Sequence, residues 1–234
     1  MRPATVDDVI AAVNFARRAG LVIAVRGGGH NPAGKSTCDG GMVIDLALMR
    51  SVWVDPAQGI ARAAPGLRLG EFDRATQAFG LATTMGVVPD TGIAGLTLGG
   101  GYGWLAGKYG LACDNLLSVD LVTAEGRLIA ASAEENTDLF WAVRGAGANF
   151  GIVTSFQYVL HEQGPVLGGM LLYPFDAGRE VLQTYNEFAK PRRMNSAVSS
   201  PCCPVRMAGR LRLCPASPEM SARAKPFFGP CAQH

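Results

Sequence analysis

Leu21-Val22-Ile23-Ala24-Val25-Arg26-Gly27-Gly28-Gly29-His30-Asn31 carries a continuous apolar run straight into three glycines and a histidine. The run predicts a strand buried on both faces. Successive glycines leave their backbone N–H groups unshielded, and such groups form a nest that suits an anion such as a pyrophosphate. Arg26 adds positive charge beside it. The plain alternative is a tight turn with a chance histidine, but His30 is one of only three histidines in the chain and follows a strand directly. That context favours a ligand loop. Upstream, Thr5-Val6-Asp7-Asp8 reads as a helix N-cap with acids in its first turn. Ile10, Val13 and Phe15-Ala16 follow at helical spacing, and Arg17-Arg18 precede a terminating Gly20. Helix, buried strand and glycine loop together open an α/β arrangement.

Further along, residues 41–46 read as a second strand, and 52–55 with 59–63 as a hairpin about Asp55-Pro56. Residues 69–79 suit a helix ended by Gly80. Strands follow at 117–123, 127–131, 152–160 and 168–174, with helices at 138–143 and 177–190. Between the first helix–strand units and these lies a second glycine tract, Gly92-Ile93-Ala94-Gly95-Leu96-Thr97-Leu98-Gly99-Gly100-Gly101-Tyr102-Gly103. Seven of its twelve residues have no side chain beyond a methyl group, so it reads as neither helix nor strand. Its plausible use is close backbone approach to a flat or phosphorylated ligand. Gly101-Tyr102-Gly103-Trp104-Leu105-Ala106 matches the dinucleotide fingerprint G-x-G-x-x-A, but no clean strand precedes it and no good helix follows. A nicotinamide-binding Rossmann site is therefore disfavoured.

Composition narrows the classes. The chain has 234 residues, is 48% hydrophobic and 17% charged, and has a net charge of +2, which fits a packed fold of one or two domains. It holds 30 glycines, far above the usual share of about 7%. No basic run suggests nucleic acid, and no run of apolar residues is long enough to span a membrane. The N-terminal residues lack the features of a signal peptide, from which a cytoplasmic location is expected. The first helix begins at once, so the chain is expected to start inside a longer domain. Six cysteines show no CxxC spacing, and no metal site is expected. His161, Asp7-Asp8 and Glu134-Glu135 read as surface residues, and Asp114-Asn115 as a helix or turn cap. Residues 194–234 hold four of the six cysteines and show no apolar period. They are expected to be a non-native tail, as a shifted reading frame would produce.

VRGGGH at 25–30, CDGGMVIDL at 38–46, TGIAGLTLGGGYGWLAGKYGLACDNLLSVDLVTAEG at 91–126 and DLFWAVRGAGANFGIVTSF at 138–156 resemble, in order, the FAD-linked oxidases of the vanillyl-alcohol oxidase superfamily. The nearer resemblance is to the bacterial berberine-bridge-enzyme-like branch, and it runs from about Thr5 to about Lys190. It implies an α+β fold: a PCMH-type FAD-binding domain over residues 1–163, with a small α/β lobe at about 1–75 and an antiparallel sheet lobe with helices at about 76–163. Residues 164–193 would begin a truncated substrate domain.

The same resemblance implies FAD lying between the lobes, its pyrophosphate in the loop Arg26, Gly27, Gly28, Gly29, His30 and Asn31. His30 matches the histidine that bonds covalently to the 8α-methyl carbon of the isoalloxazine. Some members add a bond from a cysteine four residues before the first glycine of the second tract. Val88 stands there, so attachment through His30 alone is implied. Thr91, Gly92, Gly95, Leu98, Gly99, Gly100, Gly101, Tyr102 and Gly103 match the tract along the flavin and ribityl. Tyr109 and Asp114 match a segment packed beside it, and Gly151 and Val153 the turn that meets the adenosine. The implied activity is hydride removal from an alcohol or amine carbon of a small molecule, with oxygen or another acceptor reoxidising the flavin. No residue can be assigned as the catalytic base. The alternative is a fragment that binds flavin but turns nothing over.

Overall fold

The computed structural model describes residues 1–166, 171–189 and 210–213. They fall into two compact units, Met1–Gly103 with Tyr109–Gln163, and Trp104–Lys108 with Gly164 onward.

The first unit opens on α1 (Val6–Ala19). Thr5 caps it: its side chain accepts from the Asp8 N–H at 3.2 Å while Asp8 Oδ2 accepts from the Thr5 N–H at 2.9 Å, a reciprocal capping box. Gly20 ends it in the left-handed region at φ 64°. Val9, Ala12, Val13 and Ala16 form its buried stripe. β1 (Ile23–Arg26) and β2 (Met42–Asp45) then pair in parallel. The prediction of a strand buried on both faces needs correcting. Only Ala24 of β1 is buried, and Val22 beside it is 67% exposed. β1 belongs to a two-stranded sheet; Ile23 and Val25 are only partly buried against the core that includes α1, while Ala24 between them, on the opposite face, is buried.

β3 (Val52–Asp55) and β4 (Ile60–Ala63) form the expected hairpin. They join β8 (Ile152–Val159), β6 (Leu116–Val122) and β7 (Leu128–Ser132) in an antiparallel sheet of order β3-β4-β8-β6-β7. The sequence-level lobe boundary put this hairpin with the α/β lobe. Its β4 instead pairs with β8, Ala63 opposite Phe156, a partner too distant in sequence for local patterning to show. α2 (Leu69–Gln77), α3 (Ile93–Leu98) and α5 (Thr137–Val143) cover one face. There Phe72, Ile93, Leu121, Phe156 and Tyr158 make the larger core. A smaller core joins α1, Ile44 and Leu46 to Val122 and Ile152, which ties the parallel pair to the sheet. β5 (Leu81–Ala82) pairs with β9 (His161–Glu162).

The glycine tract is not wholly irregular, as α3 lies inside it. Ile93, Ala94, Thr97 and Leu98 are buried at helical spacing. Tertiary burial of that stripe outweighs the poor helix propensity of Gly95. α4 (Ala106–Tyr109) is a single turn, too short for the helix that a dinucleotide fingerprint requires.

In the second unit β10 (Leu171–Pro174) leads through a 3-10 turn (Phe175–Ala177) into α6 (Gly178–Ala189). β10 pairs antiparallel with β11 (Arg210–Leu213). No element was expected in 194–234, but Arg210-Leu211-Arg212-Leu213 alternates polar and apolar with period two, over too short a window to stand out. Residues 167–170, 190–209 and 214–234, on which other expectations fall, lie outside the described residues.

Candidate functional site

The two glycine tracts meet. A Cβ built on Gly28 would lie 2.6 Å from the Gly92 Cα, and one on Gly92 equally close to the Gly28 Cα. No other residue fits at either position without moving a backbone. Gly27 lies beside Ala94, its Cβ position 3.6 Å from the alanine methyl.

β1 gives way to the first loop at Arg26, whose carbonyl still accepts from the Leu46 N–H at 2.9 Å. Beyond it, among the described residues, the backbone N–H groups of Gly27, Gly28, Gly29, His30 and Asn31 meet no protein acceptor. Gly29 sits at φ 73°, and a Cβ there would lie 3.1 Å from Arg26 Nε, so the guanidinium folds back over the loop. Asn31 closes the loop by accepting from Ala33 N–H at 2.9 Å. His30 is exposed at its rim.

The second wall is held by backbone bonds to the start of α2. Leu69 N–H donates to Thr91 O at 2.9 Å, Gly70 N–H to Pro89 O at 3.0 Å, and Ile93 N–H to Leu67 O at 3.0 Å. Thr91 N–H closes a turn on Val88 O at 3.0 Å. Val88 is 44% exposed and Tyr102 48%, and Gly95 and Gly99 are exposed as well. Among the described residues, no atom outside the adjoining chain and its own helix backbone lies within 4 Å of a Cβ built on Gly95. Gly100 and Gly101 accept from Cys113 and Ala112 N–H at 2.9 and 2.8 Å, which bends the tract back on itself. A Cβ on Gly101 would lie 2.8 Å from Leu96 Cδ2, and one on Gly103 would overlap the Met85 backbone. Leu98 is buried and its carbonyl accepts from Gly145 and Gly147 N–H, so its side chain belongs to the core.

The remaining candidates sit apart from these loops in their bonding. Tyr109 stacks on His161 with ring centroids 3.9 Å apart, and its hydroxyl donates to Glu162 O at 3.3 Å. His161 was expected at the surface, but its Nε2 lies 2.7 Å from Asn115 Oδ1. The Asn115 amide nitrogen donates to the Tyr109 and Leu111 carbonyls. Asp114 caps the 3-10 turn Ala112–Asn115 by accepting from Leu111 N–H at 2.8 Å. Burial and the adjacent Asp114 carboxylate push the Cys113 thiol up, which keeps it protonated. Gly151 lies at φ 151° with the Val122 carbonyl against it. Val153 is buried in β8 opposite Leu121, so it offers a ligand no side-chain atoms.

Two features escaped sequence reasoning. Arg68 Nη1 donates to Gly28 O at 3.3 Å and to Asp90 O, joining both loops through one guanidinium. Its local sequence resembles any helix start, so no signal marked it. Thr83 and Thr84 are buried, and among the described residues their hydroxyls have no hydrogen-bond partner. They precede the second wall in the sequence, and local patterning does not reveal their burial.

Taken together, the edge of the first unit offers unpaired amide donors and Arg26 on one loop, and apolar Val88 and Tyr102 beside bare glycine backbone on the other. That donor set suits a ligand with an anionic linker and a large flat apolar end, and FAD has both. Residues 1–132 match the FAD binding domain family. The chain is 50% identical over 155 residues to (R)-6-hydroxynicotine oxidase of Paenarthrobacter nicotinovorans, covering 66% of this chain and 34% of that protein. It is 45% identical over 181 residues to the FAD-linked oxidoreductase pgmH of Aspergillus terreus, covering 77% and 37%. Its fold superposes on the crystal structure of 6-hydroxy-D-nicotine oxidase from Arthrobacter nicotinovorans with a TM-score of 0.84 at 37% identity, over 96% of this chain and 51% of that one. A chitooligosaccharide oxidase gives 0.82 at 28% identity, over 97% and 51%. The chain belongs to the FAD binding domain family, and the relatives it matches are FAD-linked oxidoreductases and oxidases. It spans about a third of the length of these curated relatives and about half of the solved structures.

Proposed function

We propose that the chain is the flavin-holding part of an FAD-dependent oxidoreductase acting on an alcohol or amine carbon of a small molecule. The carrying observation is the backbone-to-backbone meeting of Gly28 and Gly92, which sets five free amide donors beside an open glycine wall. The relatives' names, a hydroxynicotine oxidase and oxidases of xylo- and chitooligosaccharides, support a small organic substrate. FAD, when bound, supplies a two-electron acceptor for the substrate hydride, and oxygen or another acceptor takes those electrons on. The protein's own part is to bind and to orient. The N–H groups of 27–31 and the Arg26 cation receive the pyrophosphate charge. Gly95 and Gly99 leave room for a ring to approach the backbone, and Val88 and Tyr102 exclude water from its edge. His30, at the loop's rim, anchors the flavin through one covalent bond from a ring nitrogen. Val88 cannot supply a thioether as a second anchor.

A second reading is that these residues bind flavin without themselves supplying the group that turns a substrate over, since none of the site residues described is placed as a catalytic base. One experiment separates the parts. The expressed chain is precipitated in acid, and flavin fluorescence is read in the pellet and in the supernatant. Fluorescence in the wild-type pellet that moves to the supernatant in His30→Ala supports the covalent bond. Flavin that stays in the mutant's pellet rules out His30. No flavin in either fraction, with none taken up from added FAD, sinks the reading altogether. Reduction of bound flavin by amine or sugar substrates then tests turnover.

A further inference from the structure

We propose that Arg68 is the positioning residue of the cofactor cradle. By donating to the carbonyls of Gly28 and Asp90, it turns the Gly28–Gly29 peptide so that the Gly29 N–H faces the ligand side. The inference rests on the proposed flavin site and deepens it. Backbone bonds from Leu69, Gly70 and Ile93 already hold the segment 88–93 to the start of α2 without the Arg68 side chain. What those bonds do not hold is the first glycine loop, whose amides from 27 to 31 have no protein acceptor. The guanidinium supplies the link. It donates to Gly28 O at 3.3 Å and to Asp90 O from the same nitrogen. In a trans peptide the C=O and the following N–H point in opposite directions, and the described residues contain no cis peptide bond. Drawing the Gly28 carbonyl toward Arg68 therefore sends the Gly29 N–H away from it.

Charge strengthens this arrangement. No carboxylate among the described residues pairs with the Arg68 side chain. Glu71 is committed elsewhere, accepting from the Arg68 backbone N–H at 2.8 Å and pairing with Arg50 at 3.5 Å. The full cationic donor thus acts on backbone carbonyls. It polarises the Gly28–Gly29 peptide and makes its N–H a stronger donor to an anion. Arg68 touches no ligand in this role, since its effect passes through the peptide it orients.

The test uses the full chain with Arg68→Met, which keeps length but has no donor, and Arg68→Lys, which keeps the charge and reaches one carbonyl. Amide order parameters of residues 27–31 are measured without cofactor, together with hydrogen exchange at Leu69, Gly70 and Ile93. FAD affinity is then titrated in the His30→Ala background, where binding is reversible. The expected result is lower order at 27–31 in Arg68→Met, unchanged exchange at the three ladder amides, and FAD affinity reduced about 10- to 100-fold. Arg68→Lys should recover part of both. Unchanged loop order in Arg68→Met overturns the inference. So does faster exchange at the ladder amides in step with the loss of affinity, because Arg68 would then be merely structural. Should the wild type bind no FAD, the proposed function fails, while the loop-order measurement still decides what Arg68 does.

Discussion

Gly28 and Gly92 approach so closely that a single added methyl group must displace one loop from the other. Gly28→Ala is expected to lower FAD content at least tenfold while costing only about 1–3 kcal/mol of stability, the usual price of overpacking. Absorbance of the purified protein and a urea melt read the two effects separately. Asp73 gives a pH-dependent case. It follows the buried Phe72 on α2, and burial pushes its carboxyl up to about 6. Its pKa is thus higher in the folded than in the unfolded chain. Between about pH 4 and 6 the unfolded chain releases this proton first, so the group's contribution falls as pH rises. Above pH 6 the folded protein bears the full cost of a desolvated charge. Asp73→Asn should therefore stabilise by about 1–3 kcal/mol at pH 7 and by little at pH 4. Equal gains at both values would show that desolvation of the carboxylate is not the cause.

Two elements depend on single polar contacts. α1 starts where Thr5 and Asp8 satisfy each other's backbone N–H groups. Thr5→Ala is expected to cost about 0.5–2 kcal/mol, with the loss showing first as fraying of α1 in hydrogen exchange. α3 carries the second glycine wall, and its Thr97 hydroxyl lies 2.9 Å from the Tyr158 hydroxyl, both side chains fully buried. Burial pushes the Tyr158 hydroxyl far above its ordinary value, so it remains protonated at all working pH values. Tyr158→Phe keeps the edge-on contact with Phe72 but leaves Thr97 unpaired. A loss of about 1–3 kcal/mol follows from that stranded hydroxyl. Thr97→Val in the same background should restore part of it, and a thermal melt of the double variant checks this.

Over the whole molecule, a ligand that binds only the folded chain must raise its stability. In the His30→Ala chain, where binding is reversible, FAD at about a hundred times its dissociation constant should add roughly 2.7 kcal/mol, and a thermal melt would show a rise of about 5–10 °C. NADH at the same concentration should give no shift, because the sequence around Gly101 lacks both the strand and the helix of a dinucleotide fold. A rise with NADH and none with FAD would reverse the assignment of the cofactor.

Local signals carried far. The Thr5-Asp8 cap, the αL Gly20, the hairpin at Asp55-Pro56 and the alternation at 152–160 marked their elements to within a residue or two, because caps, turns and strand periodicity act between near neighbours. VRGGGH and the second tract marked the loops of the candidate site for the same reason, as glycine is required wherever backbone must be bare. What local patterning could not supply was which surfaces meet. Ala63 finds Phe156, Gly28 finds Gly92, and Arg68 reaches both loops only after the chain has folded back on itself. The apolar run of β1 suggests burial on both faces and the glycines of α3 suggest irregular chain, because the burial of each depends on neighbours distant in sequence. Burial is a property of the packed molecule, and an apolar run or a glycine-rich one reports only what a segment can tolerate.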